Sequence, residues 1–136
     1  MKVLIDTDVL LDVALNRAPH VEASAKLLRW AEKNRTSYIA WHSIANCAYL
    51  LKEDHRTFLN LLLSFVTVAS VGDREARAAL DYPMKDLEDA LQAAAALACG
   101  ATYVITRNLN DYKKSPIKAL SPKQFFTLAH PQYAND

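Results

Sequence analysis

Three aspartates fall close together near the start of the chain, Asp6, Asp8 and Asp12 in "LIDTDVLLD", directly after the apolar run from Lys2 to Ile5. Two more oxygen-rich stretches follow: Asp86, Glu88 and Asp89 in "KDLEDALQ", and Asn108 with Asp111 in "TRNLND". Gathered in space, these groups would share one chemistry. Two carboxylates about 5 Å apart repel by roughly 3 kcal/mol at an effective dielectric of 20, so three or four together call for protonation or a cation. Oxygen donors without nitrogen or sulfur partners suit Mg²⁺ or Mn²⁺. Such an ion lowers the pKa of a bound water and neutralises charge on a phosphodiester.

Each acid also has a structural explanation. Asp8 can cap the helix that follows it. Asp86 reads as an N-cap, and Asp89 as an acid favourable to the positive end of the same helix. Asp12, one turn beyond Asp8, is expected to be solvated, and Asp111 to be a loop acid. Asp6 resists this treatment, because it ends a core strand beside another carboxylate.

The elements that must position these residues alternate between short apolar runs and helical patterns. "KVLI", "SYIAW" (37–41), "VTVASV" (66–71) and "TYVIT" (102–106) read as strands. The last, nearly all β-branched or aromatic, reads as buried on both faces. Helices are expected at 9–16, over "HVEASAKLLRWAEKN", over "SIANCAYLLK" and "TFLNLLLSF", and over "DREARAALDY" with Asp73 as N-cap. "KDLEDALQAAAALACG" is the clearest helix, with Gly100 at its C-terminal cap. "SPKQFFTLAH" closes the chain as a helix opened by Ser121 and Pro122. Strands alternating with helices imply an α/β three-layer sandwich around a central parallel sheet of four to five strands. In such sheets ligands bind at the carboxyl ends of the strands, where the acids fall.

Composition narrows the classes. The 136 residues are expected to form one domain, with 51% hydrophobic and 23% charged residues. A formal charge of +1 argues against a wholesale electrostatic nucleic-acid binder but leaves room for a local basic patch. Cys47 and Cys99 lie in apolar helical patterns without metal spacing and read as buried reduced thiols. Asp6 interrupts the first apolar run before a signal peptide could form, and the stretch around "LNLLLSFVTVASV" is too mixed to span a membrane. A cytoplasmic location is therefore expected.

With these residues in view, the sequence resembles the PIN-domain family, metal-dependent nucleases that include VapC-type toxins of toxin–antitoxin pairs. The resemblance runs from "VLIDTDVLLD" through "DLEDALQAAAALACGA" and "YVITRNLNDY" to "LSPKQFF". It implies a catalytic set of Asp6, Asp89 and Asp111, with Mg²⁺ or Mn²⁺ held by Asp6 and Asp89 and helped by Asp8, Asp86 or Asp111. Asn46 stands where the family usually places Glu, and Asn108 where many members place an acid after "TR". Both amides would orient water or substrate, with Thr106 on a metal-binding carboxylate, Ser43 at least capping the Asn46 helix, and Arg107 and Lys113–Lys114 facing phosphates. The implied activity is hydrolysis of single-stranded RNA, and the implied partners are RNA, an antitoxin protein and a second copy of the chain. The apolar excess of "TFLNLLLSF" fits a homodimer. Two rivals remain. "DTD" also resembles the aspartates of haloacid-dehalogenase-type phosphatases, but Leu10 lacks their hydroxyl and the chain has only Gly72 and Gly100 for a second Gly-Asp motif. The other rival is a PIN-like module that binds RNA or protein without cutting.

Overall fold

A computed structural model describes residues 1–129. It contains a five-stranded parallel sheet in the order β3-β2-β1-β4-β5. The strands are β1 (Val3–Ile5), β2 (Ser37–Ile39), β3 (Thr67–Val68), β4 (Tyr103–Ile105) and β5 (Ala119–Leu120). β1 lies at the centre, Val3 beside Ser37 on one flank and Ile5 beside Ile105 on the other. The chain builds outward from β1 through β2 to β3, then returns to the other side of β1 for β4 and β5. The order therefore reverses between β1 and β4, which opens a crevice at their carboxyl ends.

Helices α1 (Thr7–Ala14), α2 (Val21–Asn34), α3 (Trp41–Leu51), α4 (His55–Leu63), α5 (Asp73–Asp81) and α6 (Leu87–Cys99) fill the crossovers, and α7 (Pro122–Gln124) begins the last helical segment. The two faces of β1 and β4 separate by strand alternation. Val3, Ile5 and Ile105 pack into one core with Val9 and Leu10 of α1, Leu27 of α2 and Phe125. Leu4 and Val104 point to the other face, against Ala93, Ala95 and Ala96 of α6. Alanine lets α6 lie close to the sheet, and the result is the three-layer α/β sandwich expected from the sequence.

Several local assignments change. α1 starts at Thr7, so the cap expected of Asp8 falls to Asp6, whose Oδ1 accepts from the Thr7 amide at 2.7 Å. Asp73 is the first residue of α5 instead of its cap; Gly72 holds the cap position, and Glu75 Oε1 accepts from its amide at 2.8 Å. α3 takes in Trp41, which moves it out of strand β2 and places Ser43 inside the helix. Asp86 and Gly100 cap α6 as expected, Gly100 with a φ of 75°. After Gln124 the last helix widens to a π-turn over Phe125–Ala129, and the expected end at His130 lies outside the described residues. Cys47 is fully buried, and burial pushes its thiol up to about 11, while Cys99 is half-buried. Among the described residues no helix is long and apolar enough to cross a membrane.

Candidate active site at the carboxyl end of the sheet

Asp6 leaves β1 at the crevice, and Thr106 leaves β4 beside it. The Thr106 hydroxyl hydrogen is shared between Asp6 Oδ2 at 2.8 Å and Asp8 Oδ2 at 3.3 Å. Asp8, two residues into α1, also accepts from the Arg107 amide at 3.0 Å. α6 brings Asp89 from the opposite layer. The link is Tyr112, at the end of a 3₁₀ turn over Leu109–Tyr112: its hydroxyl lies 3.1 Å from Asp6 Oδ2 and 3.5 Å from Asp89 Oδ1. Carboxylates that stand 83 positions apart in the chain thus share one hydroxyl oxygen.

The open part of the site is a cleft of about 490 Å³. Asp6, Asp8 and Asp89 line it, with Asp86 and Asp111 contributing from α6 and the 3₁₀ turn. Asn46, Arg107 and Asn108 line it as well. Thr106 and Ser43 are fully buried, so their hydroxyls act on neighbouring side chains. Ser43 makes no cap; its Oγ lies 2.7 Å from Thr7 Oγ1 and accepts from Gln92 Nε2 at 2.9 Å. Asn46 donates its amide to Glu88 Oε1. Lys113 and Lys114 line a neighbouring depression that shares Asp86 and Asp111 with the cleft.

The electrostatics follow from burial and crowding. Asp6 is pushed up to about 7, first by burial and then by the charge of Asp8, against the lowering effect of the Thr106 hydroxyl. Asp89 is also pushed up to about 7, by burial and by Asp86, Asp111 and Glu88. Burial raises Asp8, though hydrogen bonding and charge from Arg107 oppose the rise. The Tyr112 hydroxyl is raised by burial and by Asp6 and Asp89, so it remains a donor.

The donor set suits a hard cation. The cleft offers carboxylate and amide oxygens, and Asp8 Oδ1 is buried with no hydrogen-bond partner among the described residues. In their present rotamers no three His, Cys, Asp or Glu side chains among the described residues are gathered as a metal group. Asp6 and Asp8 instead give oxygens to Thr7, Thr106, Tyr112 and Arg107.

The expectation for Asp12 is overturned. Asp12 is not solvated but fully buried, paired with Arg17 at 3.0 Å and with Arg107 at 2.6 Å. The signal was present, since Asp12 follows Val9 by three positions on the inward face of α1. Tyr112, Arg17 and Gln92 were not singled out for this site. Tyr112 had a cue in its place directly after Asp111, and Arg17 one in its place five positions after Asp12, while the partners of Gln92, Thr7 and Ser43, lie too far along the chain for spacing to show.

A PIN-domain family model matches residues 2–110, and the chain belongs to that family. Solved structures share its fold at low identity. VapBC2 from Rickettsia felis bound to a promoter DNA fragment aligns with a TM-score of 0.70 and 18% identity, over 89% of this chain and 98% of that one. FitAB bound to IR36 DNA aligns with a TM-score of 0.63 and 16% identity, over 88% and 94%. FitAcB from Neisseria gonorrhoeae aligns with a TM-score of 0.63 and 16% identity, over 88% and 97%. No curated protein matches by sequence.

Proposed function

We propose that this protein is an Mg²⁺- or Mn²⁺-dependent endoribonuclease that cuts single-stranded RNA, working in the cytoplasm as the toxin of a toxin–antitoxin pair. The observation that carries the reading is the meeting of Asp6, Asp8 and Asp89 at the sheet's switch point. Family membership supports it, and the likeness to the VapBC2 and FitAB structures supports an antitoxin partner. Asp6, Asp8 and Asp89 would hold the ion, with Asp86, Asp111 and Glu88 adding negative charge at the mouth. When bound, such an ion would supply an acidified water and neutralise charge on the scissile phosphate. Thr106 and Tyr112 hold the Asp6 carboxylate in place, and the Arg107 amide fixes Asp8. Asn46 and Asn108 present neutral amides that orient water or RNA without adding charge.

Single-stranded RNA incubated with the protein should be cut in Mn²⁺ or Mg²⁺ and left intact in EDTA, and Asp89→Asn should abolish cutting. RNA that binds but is not cut in either metal would instead favour a binding module. The homodimer expectation has a separate support: on α4, Leu59 and Leu62 are buried while Leu61 and Leu63 remain exposed. Light scattering at tens of micromolar should report twice the 15.2 kDa chain mass; a monomer would reject the dimer.

A further inference from the structure

Behind the acidic cleft lies a second charged unit, built around Asp12. Its Oδ1 accepts from Arg17, with Nε at 3.1 Å and Nη2 at 3.0 Å, and Oδ2 accepts from Arg107 Nε at 2.6 Å and Ser24 Oγ at 3.3 Å. Arg17 Nη2 also donates to the Asp8 carbonyl at 3.2 Å. One buried carboxylate therefore holds two guanidinium groups, an excess of one positive charge within this unit, although Arg107 also faces the Asp8 carboxylate. Both arginines line the cleft and are partly exposed, 38% for Arg17 and 26% for Arg107. Arg107 meets Asp12 through Nε, and Arg17 meets it through Nε and Nη2. Fixed planar donors at the rim of an otherwise acidic cleft suit the oxygens of a phosphate.

Resting on the nuclease reading, we propose that Asp12 sets Arg17 and Arg107 as a paired clamp for a backbone phosphate of single-stranded RNA. Arg17 and Arg107 are binding residues; Asp12 is a positioning residue that acts through them. The clamp holds the strand on the cationic wall while the carboxylates face it.

The test is binding of a short fluorescein-labelled single-stranded RNA to the full chain in EDTA and low salt, read by anisotropy. Arg17→Lys and Arg107→Lys keep the charge but lose the forked donors, and each should weaken binding about tenfold. Arg17→Gln should also lower the slope of log affinity against log salt by about 0.7. Asp12→Asn is the sharpest variant. It makes the protein more positive, so simple charge attraction predicts tighter binding, whereas loss of positioning predicts weaker binding. Asp12→Asn combined with Arg17→Gln should bind no more weakly than Arg17→Gln alone by more than the share of Arg107. Exposed Arg77→Gln, paired with Asp73 on α5 and outside the cleft lining, controls for net charge. If Asp12→Asn does not fold, the two lysine variants decide. Tighter binding by Asp12→Asn, lysine variants equal to wild type, or no RNA binding by wild type in EDTA would overturn the clamp. Cutting in Mn²⁺ is measured separately, so the clamp can fall while the nuclease reading stands.

Discussion

Asp6→Asn should reduce metal-dependent RNA cutting at least about a hundredfold, since even outer partners of metal ligands cost 10–100-fold when removed, and yet make the metal-free protein more stable at pH 8. The reason lies in the protonation of a crowded, buried acid. Asp6 is pushed up to about 7 from an ordinary value of 3.8, mainly by burial. The folded state thus holds a proton that the unfolded chain releases, and stability falls as pH rises from about 4 through about 7. The full shift corresponds to a few kcal/mol at pH 8. Asn removes the charge but disturbs the hydrogen bonds from Thr106 and Tyr112, whose hydroxyls can turn to accept from the new amide. A net gain of about 1–2 kcal/mol is expected, or about 5 °C in Tm for a chain of this size. Thermal unfolding in EDTA from pH 5 to 8 should show a falling profile for wild type and a flatter one for the variant. A loss of several degrees at pH 8 in Asp6→Asn would make Asp6 a structural acceptor.

The parts of this molecule that sequence revealed are those written in local patterns. The alanine-rich α6, with Asp86 before it and Gly100 after it, carries its own start, face and stop. Four strands were visible as β-branched or apolar runs. β5, two residues long at Ala119–Leu120, has no such run and exists because it pairs with Val104 and Ile105. At the site, Asp6 and Asp89 were legible because strand ends and helix starts are where acids converge in a parallel sheet. Asp12 was misread although the inward face of α1 carries it three positions after Val9, and of its two arginine partners only Arg107 lies far off, 95 positions away. Tyr112 was missed because its partner is distant as well. A 3₁₀ turn swings its ring inward until the hydroxyl reaches Asp6, a contact across 106 positions. Local chemistry marks which groups can act, and tertiary packing decides which of them meet.

The place where the chain departs from the family pattern offers the last test. Asn46 on α3 does line the cleft, but its amide is given to Glu88, an exposed acid in the first turn of α6. The neutral amide therefore tethers a carboxylate that arrives from the facing helix. Asn46→Glu would place a second charge against Glu88 and replace a hydrogen bond with repulsion. Glu88 is exposed, and at the dielectric of water two unit charges about 4 Å apart repel by about 1 kcal/mol. The metal-free variant should lose about that much at pH 8. With a divalent ion present the sign reverses. One added charge about 5 Å from the ion, at a dielectric near 80, contributes about 1.7 kcal/mol, more than tenfold in affinity. Calorimetric titration with Mn²⁺ should show that tightening, and Mn²⁺ should raise the Tm of the variant more than that of wild type. Glu88→Gln is the complement. It removes one mouth charge, so it should weaken Mn²⁺ binding while leaving the metal-free protein unchanged or slightly more stable. If Mn²⁺ affinity stays the same in both variants, the Asn46–Glu88 pair does not act on the ion, and the site narrows to Asp6, Asp8 and Asp89.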